Sequence, residues 1–127
     1  MRAVDTNVLV RLLARDHPAQ VAAAEAFVQA GAWVSHIVLV ESIWVLDSVY
    51  ELPSDKIALG VEMLLDHDNL VVQDADVVRA ALSTFRKRPA LGFSDCLIVE
   101  VARKAGHVPV GTFDRRLARL PDTQKLG

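Results

Sequence analysis

Apolar residues recur along the chain in two forms, short unbroken runs and longer stretches at helical spacing, with polar or turn-forming residues between them. Arg2 to Asp5 is a short run that leads into Thr6-Asn7. Val8, Leu9, Leu12 and Leu13 then follow at the three- and four-residue spacing of a helix. Asp16 is placed to cap a second helix, with Pro18 in its first turn and Gly31 at its end. Ala32 to Val34 reads as a strand, and Ser35 caps a helix running to about Tyr50. Pro53-Ser54-Asp55 opens a helix with Ile57, Val61, Leu64 and Leu65 on one side, and Leu70 to Val72 is again a strand. Asp74 or Asp76 starts a helix that reaches Arg88 and stops before Pro89, because the residue ahead of a proline disfavours helical backbone. Ser94 caps a helix ending at Gly106. Val108 to Thr112 forms a last strand, followed by Phe113-Asp114 and a short basic helix from Arg115 to Arg119. Strands alternating with helices predict an α/β protein with a parallel sheet covered on both faces.

Composition narrows the class. The 127 residues suit one ordinary domain, 1–127, which can bury roughly two-thirds of its unfolded surface without a disulfide or zinc staple. Apolar residues make up 52% of the chain and charged residues 24%, a balance that excludes a disordered protein. The net charge of −2 excludes a strongly basic nucleic-acid module, so any polyanionic substrate needs a local basic patch or a bound cation. The single cysteine, Cys96, allows no internal disulfide and fits a reducing cytoplasm. Asp5, Arg11 and Arg15 interrupt the region where a signal peptide would be apolar, and no run of about 18 uncharged apolar residues suggests a membrane span.

Against this background four acids stand out. Asp5 and Asp114 follow strands, and in open α/β sheets ligands gather outside the carboxyl ends of strands. The alternative for each is a cap on the helix that follows. Glu41 has Ile37, Val38, Trp44 and Val45 as its helical neighbours, which puts it on the stripe facing the core. A lone carboxylate there costs several kcal/mol unless something pairs with it. Asp95 heads a face continued by Ile98, Val99 and Ala102, with Glu100, Arg103 and Lys104 opposite. Its alternative is a first-turn acid complementing the helix dipole. Clustered carboxylates repel by about 4 kcal/mol at roughly 4 Å and an effective dielectric near 20, so such a set needs a cation or raised pKa values. All-oxygen donors suit magnesium or manganese. Zinc fits poorly, since His17, His36, His67 and His107 lack ligand spacing.

The segments Asp5-Thr6-Asn7, Val38-Leu39-Val40-Glu41, Phe93-Ser94-Asp95-Cys96-Leu97-Ile98 and Thr112-Phe113-Asp114 resemble the PIN domain, and most closely the VapC-type toxins of bacterial toxin–antitoxin pairs. Order and spacing agree from about residue 2 to 120. The resemblance implies a three-layer α/β/α sandwich with a central parallel sheet and a magnesium- or manganese-dependent endoribonuclease. It implies that Asp5, Glu41, Asp95 and Asp114 are the catalytic acids. Asp5 and Asp95 would be direct metal ligands, while Glu41 and Asp114 would act through water or a second ion. Thr6, Asn7 and Thr112 match the polar residues that support such a site. A homodimer, a small antitoxin partner and a cytoplasmic location are further implications. Val99-Glu100-Val101 departs from the small residues common after the third acid, which bears on helix packing alone.

Other residues are weighed beside the acids. Arg115 and Arg116, adjoining Asp114, are candidate RNA contacts. Arg86-Lys87-Arg88 is either a second phosphate contact or a solvated helix end. Trp33 and Trp44 read as core or subunit-interface residues, Cys96 as a small buried hydrophobe, and His36 as a residue near the Glu41 helix. Two other functions remain open. A haloacid-dehalogenase-like phosphatase would use Asp5 as nucleophile with an acid two residues later, where this chain has Asn7. A non-catalytic binding module would use the acids for structure or regulation.

Overall fold

The structure is a computed structural model that describes residues 1–127. The chain divides into two compact units, Met1–Ala75 and Asp76–Gly127. Together they carry six α-helices and only parallel strand pairs, so the protein is of the α/β class with a parallel sheet.

Unit 1 runs β1 (Arg2–Ala3), α1 (Thr6–Ala14), α2 (Pro18–Val28), β2 (Ala32–Val34), α3 (His36–Ser48), α4 (Ser54–Asp66) and β3 (Leu70–Val72). Its strands pair in parallel in the order β1-β2-β3, each crossover made by two helices. Arg2 and Ala3 lie opposite Ala32 and Trp33, and Ala32, Trp33 and Val34 lie opposite Leu70, Val71 and Val72. The side-chain alternation of a strand follows: Ala32, Val34, Leu70 and Val72 are buried, while the paired Trp33 and Val71 remain partly exposed. The carboxyl ends of the three strands therefore lead to Asp5, to Ser35-His36 and to Gln73 at one edge of this sheet. Gln73 ties that edge together, because its Oε1 accepts from the His36 backbone N–H at 2.9 Å and its carbonyl meets His36 Nε2 at 2.7 Å.

Local chemistry explains the helix starts. Ser35 Oγ accepts from the Val38 N–H, the cap expected from sequence, a contact of a type that contributes about 1 kcal/mol. At α2 the cap is His17 rather than the expected Asp16: its Nδ1 accepts from the Gln20 N–H. Asp16 is instead taken up by Arg11 and Tyr50, whose side chains both donate to it at 2.7 Å.

Unit 2 runs α5 (Ala75–Lys87, its first residue falling in unit 1), a 3-10 turn at Pro89–Leu91, α6 (Phe93–Ala105), β4 (Val110–Thr112), a second 3-10 turn at Leu117–Arg119, and β5 (Thr123–Lys125). Helix α6 starts at Phe93, with Gly92 as its cap, so Ser94 is a first-turn residue and not the cap expected from sequence. Gly92 has φ +80°, a conformation that only glycine adopts without strain, and it redirects the chain from the 3-10 turn into α6. Gly106 ends α6 in the left-handed conformation, as its position in the sequence predicts. The basic helix expected from Arg115 to Arg119 is shorter, a single 3-10 turn.

Strand β5 is absent from the sequence reading. It pairs with β4 in parallel, Val110 opposite Thr123 and Thr112 opposite Lys125. Its residues are polar and show no apolar alternation, so periodicity carries no signal for it. Tertiary bonds hold it instead. Arg103 on α6 donates to Asp122 Oδ2 at 3.0 Å and to the Pro121 carbonyl at 2.6 Å, and Thr123 Oγ donates to the Leu120 carbonyl at 2.6 Å. The core of this unit includes Val77, Val78, Ala81, Leu82 and Phe85 from α5 and Phe93, Cys96, Leu97 and Val99 from α6. Phe85 and Phe93 meet edge to face at 6.0 Å.

Candidate nuclease site

Asp5 follows β1 and opens α1. Its backbone is extended, its Oδ1 accepts from the Val8 N–H at 3.1 Å, and the side chain remains exposed. The capping role weighed for Asp5 is thus real. It uses one carboxylate oxygen toward the helix. Thr6, the next residue, donates its hydroxyl to Glu41 Oε2 at 3.1 Å, joining the start of α1 to α3 across 35 positions of sequence. Asp5 and Asn7 also line a groove of about 380 Å³ together with Val8, Arg11, Gln20 and Phe27. Arg2 stacks on Phe27, its guanidinium carbon 3.8 Å from the ring centre.

Glu41 requires a correction. It is exposed, and the neighbours that placed it on an inward stripe are exposed with it, Ile37 at 73% and Trp44 at 64%. The buried face of α3 is Leu39, Ser42, Ile43 and Leu46. The error has a physical source. This helix is apolar on nearly every side, so four apolar neighbours do not identify which side is buried. Ser42, the one polar residue on the buried face, donates its hydroxyl to the Val38 carbonyl at 2.7 Å and so satisfies itself. Trp44 is accordingly no core residue.

Unit 2 supplies Asp95 and Asp114. Asp95 lies in the first turn of α6 and is half-buried. The stripe drawn from it is only partly right: Val99 is buried, but Ile98 is 53% exposed, and the buried face is built on Phe93, Cys96, Leu97 and Val99. Burial raises the Asp95 carboxyl above the usual aspartate range, and the negative charge of Asp114 raises it further. Asp114 therefore lies close enough for its charge to act on Asp95. Asp114 follows β4 and its Oδ1 accepts from the backbone N–H groups of Arg116 and Leu117, at 2.7 and 3.1 Å. Thr112 supports the same loop, its Oγ accepting from the Asp114 N–H at 3.0 Å. Phe113 between them is 79% exposed.

Neither unit by itself gathers three or more His, Cys, Asp or Glu side chains into a metal-ligand group. Unit 1 carries Asp5 and Glu41 and unit 2 carries Asp95 and Asp114, all hard oxygen donors that suit magnesium or manganese better than zinc. Histidines are engaged elsewhere: His17 caps α2, His36 binds Gln73, and His67 Nδ1 accepts from the Asn69 N–H at 3.0 Å. The donor set thus fits a hard divalent cation in chemistry.

Unit 2 has a second feature that no local pattern in the sequence marks. Arg88, Arg116 and Arg119 share the lining of a pocket of about 620 Å³ with Pro89, Ala90 and Leu91. The basic runs are visible in the sequence, but their convergence is not, since 28 positions separate Arg88 from Arg116.

The PIN domain family profile matches residues 2–122, and the chain belongs to the PIN domain family. PIN domains are generally nucleases, and those nucleases generally use divalent metal ions. No curated protein and no solved structure matches the chain significantly. No helix of the protein is long and apolar enough to cross a membrane.

Proposed function

We propose that this protein is a magnesium- or manganese-dependent endoribonuclease whose acidic residues are Asp5, Glu41, Asp95 and Asp114. The observation that carries the reading is the Asp95–Asp114 pair. Burial and the nearby charge of Asp114 both oppose ionisation of the half-buried Asp95, an arrangement that a cation ligand set explains better than a stability role. The PIN match from residue 2 to 122 spans both compact units and supports their working as the single domain 1–127.

In this reading Asp5 and Asp95 are direct metal ligands, and Glu41 and Asp114 orient water or hold a second ion. When bound, the cation supplies a Lewis acid for the phosphate and lowers the pKa of the attacking water. The chain's own residues do the positioning. Asp5 keeps one oxygen on the α1 N-terminus and leaves the other available. Thr6 fixes Glu41 by its hydroxyl, and Thr112 fixes the Asp114 backbone. Asn7 lines the groove beside Asp5, and Arg115 and Arg116 contact RNA phosphates.

The same reading makes the protein the toxin of a VapBC-type pair, cytoplasmic, homodimeric and inhibited by a small antitoxin. Sedimentation at micromolar concentration tests the dimer, and a monomer there removes it. The capping roles of Asp5 and Asp114 favour one rival, a non-catalytic PIN module in which the acids serve structure. Cleavage of a mixed RNA pool with magnesium, with manganese and with excess chelator separates the two. Cleavage that needs metal and is lost in Asp95→Asn supports the nuclease. Metal-independent cleavage, or none by folded protein, overturns it.

A further inference from the structure

The pocket lined by Arg88, Arg116 and Arg119 has a composition that the acidic residues do not explain. Three arginines converge on it, and the rest of its lining is Pro89, Ala90 and Leu91, with no acid among the six. Arg103 and Lys104 of the same unit are, by contrast, matched with acids: Arg103 with Glu100 and Asp122, Lys104 with Asp76. The chain as a whole has 14 basic against 16 acidic residues, so three arginines around one pocket without an acid is a local reversal of the overall charge.

Both sides of the pocket are short extensions of the segments that carry the acids of this unit. Pro89–Leu91 passes through Gly92 directly into α6, whose first turn holds Asp95. Arg116 lies two residues after Asp114, and its backbone N–H donates to the Asp114 carboxylate at 2.7 Å. The start of the second 3-10 turn, which carries Arg119, is pinned to the same carboxylate through the Leu117 N–H. The arginines are thus mounted on backbone held in register with the acids.

We propose that this pocket is a binding subsite for the ribose-phosphate backbone of single-stranded RNA, alongside the acidic residues of unit 2. Guanidinium groups match phosphate oxygens as planar two-pronged donors, and an apolar floor of Pro89, Ala90 and Leu91 accepts the face of a base or sugar. Such contacts set the register of the strand without reading its sequence. The identification of the polyanion as RNA rests on the nuclease reading above. Arg88 and Arg119 join Arg116 as positioning residues for substrate.

The test measures binding of a short labelled oligouridylate by fluorescence anisotropy in chelator, where cleavage does not interfere, from about 50 to 200 mM salt. Wild type is compared with Arg88→Gln, Arg116→Gln, Arg119→Gln and the triple variant. Each phosphate contact on a single strand contributes about 0.7 to the slope of log affinity against log salt, so the triple variant is expected to flatten the slope by about 2. Over a fourfold rise in salt this is about a twentyfold smaller loss of affinity than in wild type. Arg15→Gln, in unit 1, is expected to keep the wild-type slope. Charge-preserving Arg88→Lys and Arg119→Lys variants guard against a folding defect. They are expected to hold the slope while losing affinity.

An unchanged slope in the triple variant overturns the proposal, as does equal flattening in Arg15→Gln or failure of wild type to bind the oligouridylate. Binding of a polyglutamate peptide that depends on these arginines, with RNA binding independent of them, assigns the pocket to an acidic protein partner and also overturns it. Metal-dependent cleavage is followed in parallel. A flattened slope without any cleavage keeps the subsite and removes the nuclease, whereas cleavage with an unchanged slope does the reverse.

Discussion

Thr6 Oγ donates to Glu41 Oε2 at 3.1 Å, a bond between the first residue of α1 and an exposed acid on α3. Asp5 precedes this threonine directly, so the same bond sets Glu41 relative to the start of the helix that Asp5 caps. If the four acids act in cleavage, this hydroxyl is a positioning group. Thr6→Val is expected to lower kcat/KM by about five- to tenfold, the equivalent of about 1 kcal/mol for a bond to a charged acceptor near the surface. Thr6→Ser restores it. An unaltered kcat/KM in Thr6→Val shows that the bond serves packing alone.

Asp5→Asn and Asp95→Asn separate chemistry from stability. Asparagine caps helices as well as aspartate does, so Asp5→Asn keeps the α1 cap, whereas Asp5→Ala adds a loss of about 1 kcal/mol. Cleavage is expected to vanish in Asp5→Asn while the melting temperature stays near that of wild type. Metal-free Asp95→Asn is expected to melt no lower than wild type, because both burial and Asp114 oppose the charge that it removes. A marked loss of stability in Asp95→Asn argues for a structural acid.

The Arg11–Asp16–Tyr50 cluster of unit 1 makes stability depend on pH. The Tyr50 hydroxyl, with Arg11 adding to it, holds the Asp16 carboxyl below the usual aspartate range against a partial loss of solvation. A folded-state pKa below the unfolded one gives stability that is present above the ordinary value of about 3.9 and lost as pH falls through the folded value. The melting-temperature gap between wild type and Tyr50→Phe is therefore expected to be widest near neutral pH and to close in acid. A gap independent of pH means that Tyr50 acts through packing.

Cys96 is 1% exposed, and burial pushes its thiol up to about 11, with Asp95 and Glu100 adding to the shift. Its thiolate is scarce at neutral pH. Native protein is expected to react with a disulfide reagent at least about a hundredfold more slowly than denatured protein. Comparable rates imply that the start of α6 opens readily.

How far the sequence was legible differs by element. Strands β2 and β3 and the Ser35 cap were readable because their signals are local, an apolar run or a hydroxyl three residues before the amide it binds. Strand β5 was not, because its polar residues are placed by pairing with β4 and by the Arg103 bonds to Pro121 and Asp122 just ahead of it. The Asp16 cap failed for a related reason. Tyr50, 34 positions away, claims that carboxylate, and His17 takes over the cap.

The sequence by itself determined the α/β class, the order of most elements, the four acids and their place after strands or in helices, since these depend on short-range propensity and residue chemistry. Tertiary structure alone decided which side of α3 is buried, since an all-round apolar helix carries no phase information, and so left Glu41 exposed on a bond from Thr6. It also decided that Asp95 feels the charge of Asp114 and that Arg88 shares a pocket with Arg116 and Arg119. Those are contacts between residues 19 or more positions apart, and chain separation says nothing about distance in space until the backbone between them has folded.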